Sequence, residues 1–287
     1  MSNFEEGTAY CHGAASIVNG IITGKGSSFG IGLRTEARVR LTDDPERFDV
    51  RIISDPEENP DLALHCVRST LARFGLEGEY GAEIVTTSDI PISRGLKSSS
   101  ASANAMVMAV LDALGEELDD FTVIGLGIEA SQKAKVTVTG AFDDACASYF
   151  GGAVVADNYE RMILSRYAMD EDLSVLIHVP ERKIRKHNLD LDRSDEIRSA
   201  IKKAFNAALH GDYRTAMVIN GLSYGSAMGI DTSVMVKAME SGALCASISG
   251  TGPATVILCN EAKEDDLISS MGDYNLIRTG INNNKSS

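Results

Sequence analysis

Three groups of residues in this 287-residue chain have types and spacings suited to chemistry. The first is the run Pro91, Ile92, Ser93, Arg94, Gly95, Leu96, Lys97, Ser98, Ser99, Ser100 and Ala101, in which a conformationally permissive glycine precedes three hydroxyl residues that open an apolar helical pattern. Such a helix start turns free N–H groups and the positive end of the helix dipole toward one point. That is an anion cradle, most naturally for phosphate, although the same residues also suit an ordinary helix cap. The second group is Asp143 and Asp144, adjacent carboxylates at the start of a short helix, able to accept a proton, to orient a hydroxyl, or simply to cap.

The third group is cationic. Lys25 is bracketed by Gly24, Gly26, Gly30 and Gly32, so the backbone there can approach a ligand while an ammonium reaches in. The P-loop spacing GxxxxGK[ST] is not met, because three residues separate Gly20 from Gly24 and Gly26 follows the lysine. Arg182, Lys183, Arg185, Lys186 and His187 form a basic run at the end of a strand pattern, which suits a solvated loop or a small carboxylate or phosphate substrate.

The elements that must position these groups follow from periodicity. Residues 33–41 alternate as a half-exposed strand and residues 48–53 read as another. A helix over 59–74 has Leu62, Leu64, Val67, Leu71 and Phe74 as its expected buried side, and a strand over 79–90 delivers the chain to the cradle. Helices over 101–114 and 119–133 follow, the second carrying Glu129 as a candidate inward-facing acid. A hairpin over 151–168 turns at Asp157-Asn158, and the apolar pattern breaks near Asp170. Beyond it come a strand over 173–179 and helices over 194–210, 212–224 and 232–241. A strand-turn-strand around Gly250, Thr251 and Gly252 follows, then a helix over 261–271 and a strand over 276–279. Residues 282–287 read as a frayed end.

Composition narrows the function classes. With 27 Lys plus Arg against 41 Asp plus Glu, the net charge of −14 argues against a general nucleic-acid or anionic-membrane surface. The five cysteines lie far apart without a metal-binding spacing, and no apolar stretch has signal or membrane-spanning character, so the expectation is a reduced, cytoplasmic protein.

Read as PxxxGLxSSxA, residues 91–101 resemble the phosphate-binding motif of the GHMP kinases, the superfamily of galactokinase, homoserine kinase, mevalonate kinase and phosphomevalonate kinase, at every fixed position. The likeness extends to an Asp seven residues before a Gly, here Asp144 and Gly151, and to a third glycine loop, here Gly250 to Gly252. Residues 19–30, 95–100 and 136–146 together are similar to the archaeal type of shikimate kinase within that superfamily. The resemblance implies an α+β, two-domain GHMP kinase fold, with a ribosomal-protein-S5-like N-terminal domain over 1–169 and a ferredoxin-like C-terminal domain over 170–287. It implies an ATP-dependent phosphotransferase acting on the 3-hydroxyl of shikimate, a small-molecule step toward chorismate and aromatic amino acids. ATP would lie on residues 91–101 and on Gly250, Thr251 and Gly252, with Mg²⁺ on Ser99 and Glu129. Asp144 would orient or deprotonate the hydroxyl, Lys25 or Lys97 would neutralise developing charge, and Lys183 and Arg185 would meet the substrate carboxylate. A sister kinase of homoserine, pantoate or mevalonate, or a binding protein that keeps the scaffold without catalysis, would share these motifs.

Overall fold

The computed structural model describes residues 6–137, 140–180 and 194–287. Strand β2, Lys25–Thr42, is the spine of a six-stranded sheet: β1 (Gly7–Val18), β4 (Gly81–Ser88) and β5 (Ala153–Asp157) all pair with it antiparallel. β3 (Phe48–Ile52) runs parallel to β4, and β6 (Met162–Tyr167) closes the hairpin on β5. The expected strand over 33–41 is therefore only the outer half of β2. There the alternation is real, because one face meets solvent, whereas residues 26–31 are buried on both faces and carry no period of two. The glycines of this stretch admit other chain segments rather than a ligand; a side chain at Gly30 would meet the Asn282 carbonyl and Gly151.

Helices α1 (Asp61–Arg73), α2 (Ser98–Leu114), α3 (Asp120–Lys133) and α4 (Phe142–Phe150) belong to this half of the chain. α2 packs on β1 and β2, with α1 and α3 beside it, and its alanines 101, 103, 105, 109 and 113 bring the helix close to the strands. α3 starts where its sequence predicts, with the Asp119 carboxylate accepting from the Thr122 N–H at 3.0 Å.

The second sheet, ordered β10-β7-β9-β8, is antiparallel throughout and is built from β7 (Leu173–His178), β8 (Cys245–Ile248), β9 (Thr255–Asn260) and β10 (Leu276–Gly280). Helices α5 (Ser194–Leu209), α6 (Tyr213–Ala227), α7 (Ser233–Glu240) and α8 (Glu264–Met271) accompany it. The chain passes from one sheet to the other between Tyr167 and Leu173, and the proposed domain boundary at 169/170 falls in that interval. One buried cluster nevertheless runs through both halves, from Phe29 and Ile31 to Tyr224 and Ile248. All five cysteines are buried and unpaired, and among the described residues no helix is long and apolar enough to cross a membrane.

Residues 282–287 are not frayed. They run back along the first half: Asn282 N–H donates to Gly30 O at 2.9 Å, Gly152 N–H to Asn282 O at 2.8 Å, and Ser286 N–H to Tyr149 O at 2.8 Å. The Asn283 side chain pairs with both backbone groups of Met169, accepting at 3.0 Å and donating at 2.9 Å. A polar run without periodicity gives no sequence signal for such docking, because its amides bind backbone rather than a hydrophobic face. Replacing Asn283 with Ala strands two backbone groups of a buried residue and is expected to cost about 1–3 kcal/mol, lowering the Tm by several degrees in a thermal melt.

Candidate active site

The cradle forms as a tight turn leading into a helix. Residues 92–95 turn, Gly95 takes φ +90°, and Lys97 takes the left-handed conformation, φ 61° and ψ 31°, as the N-cap of α2. Lysine is an unusual cap. It offers no acceptor, so no side chain caps α2, and the first-turn N–H groups of Ser98, Ser99 and Ser100 open onto a cleft of about 840 Å³ that these serines line. The left-handed conformation of a non-glycine residue costs on the order of 1–2 kcal/mol, so the structure holds Lys97 there by other contacts.

Those contacts converge on α4. The Lys97 ammonium lies 2.9 Å from Asp144 Oδ1, with the two side chains only 9% and 15% exposed. Ser28 on β2 donates to the same oxygen at 2.7 Å. Asp144 lines the cleft, and its Oδ2 has no protein partner among the described residues. Asn104 of α2 donates to the Ala145 carbonyl at 3.0 Å and fixes the two helices against each other at this point.

The third wall is the glycine loop of the second sheet. The Ser249 hydroxyl donates to Gly95 O at 2.7 Å, and a Cβ at Gly95 would stand 2.1 Å from Ser249 O, so the two loops touch through backbone. Gly250 N–H donates to Ser16 Oγ at 2.9 Å, and the Asn19 amide donates to Gly250 O. Asn19 N–H in turn donates to Asn220 Oδ1 on α6 at 2.9 Å.

Asp143 lines the same cleft but lies deeper in it. It is 4% exposed, and its N–H donates to Asn158 Oδ1 at 2.8 Å. Burial first, and the neighbouring Asp144 charge second, push its carboxyl up to about 7, with Lys97 and the Asn158 amide pulling partly the other way.

The structure brings together Ser93, Gly95, Lys97, Ser98, Ser99, Ser100, Asp144, Gly250 and Thr251 on one cleft, with Ile92 beside them. Other predicted site residues sit apart from it. Lys25 is exposed at the start of β2 and pairs with Asp157 at 3.6 Å, so Lys97 supplies the ammonium at Asp144. Glu129 is exposed on the outer face of α3, where Ile128 and Ala130 beside it point inward. Pro91, Arg94, Leu96, Ala101 and Gly252 do not line the cleft: Arg94 donates to Pro180 O at 2.7 Å, and Leu96 and Ala101 are fully buried. Lys183 and Arg185 lie outside the described residues. Ser28, Asn104 and Asn158 went unsuspected, since a serine in a buried strand or an asparagine in a turn carries no local signature.

Mg²⁺ binds through one or two carboxylates together with substrate phosphates and keeps several waters. Among the described residues no group of three His, Cys, Asp or Glu side chains could enclose a metal, but the hydroxyl of Ser99 and the carboxylates of Asp143 and Asp144 share the cleft, which suits an ion carried on phosphate oxygens.

Residues 61–152 match the GHMP kinases N terminal domain family. The chain is 44% identical over 282 residues to a shikimate kinase of Methanothrix thermoacetophila, covering 96% of this chain and 94% of that one. It is 40% identical over 270 residues to a shikimate kinase of Pyrococcus abyssi, covering 93% and 97%. Among solved structures, the mevalonate kinase of Methanococcus jannaschii superposes with a TM-score of 0.77 at 19% identity over 98% of this chain and all of the other, and the homoserine kinase of Cytophaga hutchinsonii with 0.76 at 19% over 100% and 98%.

The raised carboxyl of Asp143 has a consequence for stability. Well below the ordinary carboxyl value of 3.8 it is protonated both folded and unfolded. As pH rises toward 7 the unfolded chain releases the proton and the native one holds it, so this group makes the fold progressively less stable across that interval. In nucleotide-free and Mg²⁺-free protein, the Tm advantage of Asp143→Asn over wild type is expected to grow between pH 4.5 and 7.5. A difference independent of pH would contradict the assignment.

Proposed function

The chain belongs to the GHMP kinases, and from that premise we propose that its cleft transfers the γ-phosphoryl group of ATP to the 3-hydroxyl of shikimate, giving shikimate 3-phosphate for chorismate and aromatic amino acid synthesis. The observation that carries the reading is the pairing of an uncapped helix start with a lysine-bound aspartate across one cleft. The identity of about 40% to archaeal shikimate kinases over nearly the full chain selects the acceptor.

Phosphoryl transfer asks mainly for positioning and for charge stabilisation. The N–H groups of Ser98 to Ser100 and the α2 dipole hold the phosphates, closed over by Gly250 and Thr251. The apolar side of the cleft, Ile52, Leu62, Ala63, Met106 and Ile128, gives the base its room. Mg²⁺ carried on the triphosphate would be held by the Ser99 hydroxyl and the cleft carboxylates rather than by Glu129, and when bound would supply further neutralisation. Asp144 is set for proton transfer: Ser28 and Lys97 both occupy Oδ1, which fixes the carboxylate plane and leaves Oδ2 to receive the acceptor's hydroxyl proton. Lys97, between Asp144 and the cradle, offsets the charge that develops on the transferred group.

The direct test is ADP release with Mg²⁺-ATP and, separately, shikimate, homoserine, pantoate and mevalonate. Turnover with shikimate alone is expected. Turnover with another acceptor instead would overturn the substrate, and silence with all four would favour a non-catalytic scaffold. Asp144→Asn is expected to lower kcat about 10²–10⁴-fold while ATP binding, followed by titration calorimetry, stays within a few-fold of wild type. Ser99→Ala is expected to shift the Mg²⁺ concentration dependence upward.

A further inference from the structure

The cleft holds a single aromatic side chain among the described residues, Tyr159, and it is 70% exposed. It follows Asn158, whose side chain accepts from the Asp143 N–H, so the turn that carries the ring is tied to the carboxylates of the cleft. The backbone that carries the ring is fixed. The Asp157 carboxylate accepts from the N–H groups of Tyr159 and Glu160 at 3.1 and 3.2 Å, Asn158 N–H donates to Gly24 O at 2.8 Å, and Gly24 N–H donates to Gly20 O at 2.8 Å. The ring rests on Gly24, where an added Cβ would lie 2.0 Å from a ring carbon. The ring thus touches backbone on one side, while most of it stays uncovered in the cleft that Asp144 also lines.

A uncovered aromatic face leaves apolar area in water, and a ligand that presents a flat or puckered ring of C–H groups covers it while directing its hydroxyls to polar groups at the edge. We infer that Tyr159 is the platform for the ring of the acceptor, and that it sets the preference for a cyclic polyol acid over a short acyclic alcohol. The inference rests on the shikimate reading above. It assigns acceptor specificity to the turn between β5 and β6, with the C–H face of the substrate on Tyr159 and one ring hydroxyl at Asp144 Oδ2.

Steady-state kinetics of wild type, Tyr159→Phe, Tyr159→Leu and Tyr159→Ala, varying shikimate and ATP in turn, test it. Tyr159→Ala is expected to raise KM for shikimate tenfold or more, with KM for ATP within twofold and kcat lowered far less. Tyr159→Phe is expected to restore the wild-type KM, and Tyr159→Leu to fall between. The platform is overturned if Tyr159→Ala leaves KM for shikimate within twofold, if KM for ATP rises in parallel, or if the Phe variant is as impaired as Ala, which would make the hydroxyl rather than the ring the contact. Failure of the shikimate reading shows separately, as absence of shikimate turnover in the wild-type protein.

Discussion

The contact on which the rest depends is the one between Lys97 and Asp144. A lysine is held in a backbone conformation better suited to glycine, at a helix start it cannot cap, so that its ammonium reaches a carboxylate on another helix 2.9 Å away. Neither choice favours stability. Nearly buried ion pairs roughly break even against their desolvation, and loss of one partner costs about 3–5 kcal/mol because the other charge is stranded. The arrangement makes sense as chemistry: it leaves the α2 N–H groups for an anion and holds one carboxylate oxygen ready beside them.

Each neighbouring feature keeps that contact in place. Ser28 binds Asp144 from β2, Asn104 locks α2 to α4, and the Ser249 hydroxyl clasps Gly95 from the second sheet. The cleft is therefore closed by both halves of the chain, and Asn19 ties the turn after β1 to the glycine loop and to α6. Asp143, packed where a side chain at Gly26 would stand, adds a second cost to the same corner through its raised carboxyl. The surrounding core of both halves supplies the stability that such a corner consumes.

What was legible in the sequence was contiguous. The cradle, Asp144 and the glycine loop each occupy a few neighbouring residues with a stereochemical reason to be together, and the structure places them on one cleft. The helices and most strands were legible for the same reason, since period and capping act locally. Lys25 and Lys97 were indistinguishable as candidates because only tertiary placement decides which ammonium meets Asp144. Glu129 is the acid of an otherwise apolar stretch, but such a helix keeps one face toward water, and Glu129 lies exposed on it as Gln132 and Lys133 do. Ser28, Asn158 and the docking of residues 282–287 depend on partners more than a dozen residues distant, which no local pattern encodes.

The central claim is that Lys97 and Asp144 act as one unit in phosphoryl transfer. A double-mutant cycle on kcat with Lys97→Met, Asp144→Asn and the combined variant tests it most directly. The account predicts strong non-additivity, with the double variant no slower than the slower single one. Losses that simply multiply would contradict it and would mean that the two residues serve the reaction independently.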